Sequence, residues 1–108
     1  MTAAGMSVVA RMSLAAERAG MLPRHADELC RNLAMVDAAD MNVGEVAASL
    51  HRRLTPGVAV PQSPERDEMV ELLSTPGAIA RIARAVVLAY AAATVEAVLE
   101  GIADGRAA

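Results

Sequence analysis

The chain has 108 residues, 55% of them hydrophobic, and a formal net charge of −3 from 13 acidic and 10 basic residues; this length suits one domain spanning residues 1–108. Charges of both signs are spread along it with no basic block, which argues against a purely electrostatic binder of nucleic acid or of a membrane surface. Cys30 is the only cysteine, so no intramolecular disulfide is possible and no oxidising compartment is implied.

Apolar periodicity and cap residues predict five helices. The first is expected over residues 3–19, with Val8, Val9, Met12, Ala16 and Ala19 on one stripe and Gly20 as the residue that ends it. The second is expected over 23–39, opened by Pro23 at the first helical position. Leu22, Ala26, Leu29, Leu33 and Val36 form its stripe, and Arg24/Glu28 and Asp27/Arg31 read as i, i+4 pairs on its opposite face. The third is expected over 43–54. Asn42 is its N-cap, with Glu45 three residues on as in a capping box, and Arg52 and Arg53 suit the dipole in its last turn.

Residues 55–62 hold two prolines and a glycine and read as a connector. Ser63-Pro64-Glu65 opens a short fourth helix to about residue 73, with Met69, Leu72 and Leu73 inward. The fifth and longest is expected over 76–103. Thr-Pro-Gly occurs at 55–57 and 75–77, but the flanks differ, so no internal repeat is read. The fold class is therefore all-α: a bundle of four to five helices with a long, largely buried C-terminal helix.

The core this bundle can build is unusual. There is no Phe or Trp, Tyr90 is the only aromatic residue, and every basic residue is Arg. Leu, Val, Ile, Met and Ala must fill the interior. Small side chains allow close helix approach but each contributes little apolar area. Such a core gains from a partner. The absence of Lys and Phe, which have AT-rich codons, and the abundance of Ala and Arg imply a source with high-GC coding, a bacterium or its phage.

Residue types that carry chemistry are sparse. His25 and Glu28 are three apart on the second helix, but the only other histidine, His51, has no matching carboxylate; both are read as solvated surface, and no metal is expected. Cys30 lies beside the core stripe with no base and orienting group implied, and is read as a buried structural thiol. No glycine-rich phosphate loop is present. No catalytic residue and no cofactor are predicted. Residues 42–50 have the pattern of the first helix of a helix-turn-helix, which makes a DNA-binding regulator using residues 42–54 one alternative. The Pro-rich connector and the acidic start of the fourth helix argue against it. Pro64-Glu65-Arg66-Asp67 ahead of an apolar helix resembles a stretch of chorismate mutase-like all-α enzymes. That resemblance spans a handful of residues and implies a small-molecule enzyme or binder, although those enzymes use a Lys that this chain lacks.

The fifth helix carries the strongest signal. Between Ala85 and Val95 it is apolar almost all round, as a helix buried on most sides is. This uncharged run is too short to span a bilayer, which takes about 20 residues. Arg81 and Arg84 lie near its N-terminal end and Glu96, Glu100 and Asp104 near its C-terminal end, each against the helix dipole. An antiparallel second copy would set Arg84 near Glu96 and Arg81 near Glu100, with a two-fold axis near position 90. Arg81, Arg84, Leu88, Ala92, Val95, Glu96 and Leu99 share the face expected to meet that copy. Ile79, Ala83, Val86, Tyr90, Ala93 and Ala97 share the face expected to meet their own chain. The expected function is that of a non-enzymatic, homodimeric adaptor or regulatory protein in the cytoplasm, binding neither nucleic acid nor membrane.

Overall fold

A computed structural model describes residues 7–35, 41–58 and 60–107. Five helices occur among them and no strand: α1 (Val8–Arg18), α2 (Pro23–Leu33), α3 (Val43–Arg52), α4 (Pro64–Leu73) and α5 (Ala78–Ala107). The all-α bundle with a long C-terminal helix is thus the observed architecture.

The helix starts follow from local side-chain chemistry. Ser7, Asn42 and Ser63 each cap a helix by accepting a backbone N–H, from Ala10 at 3.1 Å, Glu45 at 2.9 Å and Arg66 at 3.1 Å. Pro23 and Pro64 occupy first-turn positions whose missing N–H costs nothing. At the end of α1, Gly20 takes φ +112° and the Met21 N–H returns to the Ala16 carbonyl, a left-handed helix stop. Both Thr-Pro-Gly segments place their glycine at positive φ, +75° at Gly57 and +78° at Gly77. They therefore share a turn conformation although their flanks differ. The second explains why α5 begins at Ala78 and not at Pro76: Thr75–Ala78 forms a turn closed by the Ala78 N–H on the Thr75 carbonyl at 3.0 Å. The earliest residues of the expected first helix, and 36–39 of the second, lie outside the described residues.

α1 packs on α5 and α2, α3 packs on α5, and α4 touches α5 lightly. One core joins them: Met12 and Ala16 from α1, Leu29 and Cys30 from α2, Val46 and Leu50 from α3, Met69 and Leu73 from α4, with Ile82, Ala83 and Val86 from α5. Aliphatic and thioether groups fill it, as an interior without Phe or Trp requires.

α1 to α4 have only 10 or 11 residues each, about 15–17 Å of rise. α5 has 30, about 45 Å. Short helices cannot cover so long a one. The molecule measures 53 × 26 × 22 Å, and its radius of gyration, 15.3 Å, exceeds the roughly 13 Å of a compact chain this long. The burial expected for the C-terminal helix therefore holds for one side of its first half; among the described side chains beyond Ala91, only Ala93 is buried and Glu96 partly so.

The two kinds of glycine respond oppositely to alanine. Gly20→Ala forces an L-residue to positive φ and is expected to lower stability by about 1 kcal/mol or more. Gly101→Ala, in exposed regular helix with open space around it, is expected to raise it by up to about 1 kcal/mol. Urea unfolding of both variants checks the contrast.

Candidate functional site

α5 leaves the bundle with two apolar stripes on opposite sides. At about 100° per residue, Ile79, Ile82, Ala83, Val86 and Ala93 point to the bundle. All are buried except Ile79, which is partly so. Tyr90 packs partly on the same core, while Ala97, expected with this set, is exposed. On the other side Leu88, Ala92, Val95, Leu99 and Ile102 fall within an arc of about 80°. Their spacing alternates four and three, the seam period of paired helices. These side chains are bare: Leu88 is 62% exposed, Val95 58% and Leu99 59%, with Val98 exposed beside them. An open depression of about 420 Å³ runs along the start of this face, bounded by Gly77, Ala80, Arg81, Arg84, Ala85 and Leu88. Its walls belong to one helix and the turn before it, so it is a surface and not an enclosure.

Of the residues expected at the interface, Arg81, Arg84, Leu88, Ala92, Val95 and Leu99 do share the exposed face. Glu96 sits at its edge, partly buried, and pairs with Arg11 of α1 at 2.5 Å. Glu100 lies farther round, toward a groove between α5 and the start of α1. Arg81 donates from Nε to the Ala19 carbonyl at 2.7 Å, at the C-terminal end of α1, where a cation offsets the helix dipole. Two of the charges that oppose the dipole of α5, Arg81 and Glu96, thus serve α1 in the same chain. By length and mean hydropathy, 1.8 over its most apolar window, α5 also has the dimensions of a membrane-crossing helix. Averaging over the helix passes through the glutamates that bounded the shorter uncharged run.

A second constellation was not legible in the sequence. His25, Arg53 and Arg66, from α2, the end of α3 and α4, are 4%, 5% and 5% exposed. The solvated reading of His25 is corrected: α2 turns it inward beside Ala26 and Leu29, under α4. Glu28 remains outside. Arg24 and Glu28 do not pair within α2. Arg24 bonds Glu68 of α4, while Glu28 meets Arg53 at 3.4 Å, each drawn to a partner on a neighbouring element. Asp27 and Arg31 do form the expected pair, at 2.8 Å. Arg66 donates from Nη2 to the Leu54 carbonyl at 2.8 Å, tying α4 to the end of α3. His25 Nε2 and the Nε atoms of Arg53 and Arg66 are buried without a hydrogen-bond partner. The Glu68 carboxylate lies 3.5 Å from His25 Nε2 but is held by Arg24. Cys30 is fully buried, and burial pushes its thiol up from the usual 9.0, with a hydrogen bond to Ser13 opposing and Asp27 adding; it stays protonated and unreactive at neutral pH.

Among the described residues no three His, Cys, Asp or Glu side chains converge as metal ligands. Positions 53–63 separate α3 from α4, so no second helix follows α3 across a tight turn. No protein-family model matches the chain, and no characterised protein or solved structure is detectably similar to it.

Burial lowers the pKa of His25 below its usual 6.5, and Arg24 adds to the effect; Glu28 opposes it, Arg53 reinforces it and Glu65 opposes it. The unfolded chain therefore takes up a proton at higher pH than the folded one. Stability is expected to be full above about pH 6.5 and to fall as pH drops through the lower folded value. His25→Gln should flatten that part of the profile. Urea midpoints between pH 8 and pH 5 check this; an unchanged slope in the variant would assign the acid sensitivity to other groups.

Proposed function

We propose that this chain is a soluble, non-enzymatic interaction protein, an adaptor or regulator, that works as a homodimer paired through α5. One observation carries the reading: a bare apolar stripe with seam spacing, Leu88 to Ile102, on the side of α5 opposite its own core.

Magnitudes favour a real but modest association. Leu88, Val95, Val98, Leu99 and Ile102 are each about half exposed or more. Covering what remains bare is worth roughly 1 kcal/mol apiece, or roughly 10 kcal/mol over two copies. Association costs on the order of 4–15 kcal/mol. At the low end of that cost about 6 kcal/mol remains, a weak dimer that forms at tens of micromolar.

Charge selects the antiparallel sense. A parallel pair would crowd Arg81 and Arg84 of both copies together. An antiparallel pair lays the cationic start of α5 beside the partner's acidic, dipole-negative end. It also lets the overhang of each copy cover the exposed first half of the other, as an isologous interface demands. With Glu96 bound to Arg11, ion pairs contribute little, and Ala92 near the crossing allows the backbones to approach.

A lipid surface would also accept an apolar stripe. The net charge of −3 and the line of Glu96, Glu100 and Asp104 along the overhang weigh against an anionic membrane.

Sedimentation across a concentration series tests the proposal. The wild type is expected to pass from monomer to dimer in the micromolar range. Leu88→Asp is expected to remain monomeric with an unchanged circular dichroism spectrum, because Leu88 is exposed and outside the core. Arg84→Glu should weaken the dimer by less. A wild type that stays monomeric at high micromolar concentration would end the proposal, as would a dimer indifferent to Leu88→Asp. Binding of a monomeric wild type to lipid vesicles, lost in Leu88→Asp, would reassign the stripe to membranes.

A further inference from the structure

The buried cluster between α2, α3 and α4 borders a partly open recess of about 30 Å³, lined by His25, Glu28, Arg53, Glu65, Arg66 and Met69 among others. We propose that this recess is a binding site for the carboxylate group of a small organic anion.

The charge balance of the cluster motivates the assignment. The side chains of Arg53 and Arg66 are 7% and 6% exposed, so their guanidinium groups have given up most of their hydration. The carboxylates that approach them stay in water. Glu28 is 58% exposed and lies 3.4 Å from Arg53; Asp67 is 65% exposed and lies 3.5 Å from Arg66. Hydrated acids at those separations compensate buried cations poorly. The Leu54 carbonyl satisfies only Nη2 of Arg66. Glu65, at the rim, is exposed and screened by solvent.

Hydrogen-bond geometry agrees. Three buried nitrogens, Nε of Arg53, Nε of Arg66 and Nε2 of His25, have no partner, and their residues line the one recess. Each guanidinium Nε is a fixed donor, and the imidazole supplies a third when its proton sits on Nε2. A carboxylate presents about four lone-pair sites on two oxygens and accepts such donors through short, charge-assisted bonds.

Size narrows the class. A recess of this volume holds about two water-sized groups. The planar, two-oxygen end of a carboxylate enters so narrow a recess more readily than the tetrahedral head of a sulfate or phosphate. Met69, 2% exposed, closes the apolar side of the site.

Nitrogen-15 spectra of the arginine Nε–H groups, recorded on the full chain during titration with formate, acetate, sulfate or phosphate against chloride at constant ionic strength, test the site. Formate and acetate are expected to move the Arg53 and Arg66 resonances saturably. Arg53→Lys, which keeps the charge but removes the Nε donor, should weaken the response about tenfold, the loss of one charge-assisted hydrogen bond. If that variant fails to fold, the wild-type titration decides alone. The proposal is overturned if the carboxylates cause no saturable shift, or if chloride reproduces it. An equal or stronger response to sulfate and phosphate overturns the assignment to carboxylates.

Discussion

Most of this fold leans on one helix, α5. Ile82, Ala83 and Val86 of α5 have no exposed surface, and helices as distant in sequence as α1 and α3 pack against that helix. The reason lies in the composition. Without Phe or Trp, no single side chain can fill a wide gap between helices, so short helices of about 15 Å must sit close to a common spine. Alanines at positions 16, 26 and 83, all fully buried, let them do so. The same thrift limits what the bundle can cover. A spine about three times as long as its companions leaves its last turns, beyond Glu100, without a neighbour among the described residues.

The second constraint is electrostatic. Taking two guanidinium groups out of water costs several kcal/mol each unless they are well paired. Here they are held by one backbone carbonyl and by carboxylates that remain largely solvated. Arg66 nevertheless links α4 to the end of α3, and beside it α4 has only Met69, Leu72 and Leu73 on the core and the Glu68 contacts to α2. Placing α4 therefore depends on a buried cation to an extent that its few apolar residues explain. A structure that depends on such a group also gains from any anion able to complete its shell.

These two features differ in how far the sequence reveals them. Helix number, caps and core stripes depend on nearest-neighbour chemistry, and Ser63, Asn42, Pro23 and Gly20 each act where local rules put them. The exposed face of α5 was legible for the same reason, since a helical wheel needs only the sequence. The partners of α5's charges were not. Glu96 reaches Arg11 and Arg81 reaches Ala19 across more than sixty residues of chain, contacts that no local pattern encodes. The buried cluster was missed for a related reason. His25 and Arg66 sit on polar stretches of their own short helices and are buried by groups distant in sequence: Glu68 lies over His25, and the Leu54 carbonyl meets Arg66. A polar residue one position from a core stripe, as His25 is from Ala26, was the available sign.

An apolar helix that is simply a core element, or simply a fraying tail, does not account for the pattern along α5. Its inner face changes character where the bundle stops: Ile82, Val86 and Ala93 give way to Glu100 and Asp104 past the start of α1. That change is what exposure to water demands. The outer face crosses the same boundary without changing, from Leu88 through Val95 and Leu99 to Ile102. Exposure to water alone does not account for an outer face that stays apolar there; the proposed partner helix does. Were the chain's own core its neighbour, the apolar residues would lie on the inner side. The two stripes oppose each other around the helix, so a sequence reading sees one segment that is apolar all round, although it is two surfaces with separate tasks. The inner one organises the bundle. The outer one keeps a seam spacing over the length that an antiparallel copy of the same helix can occupy.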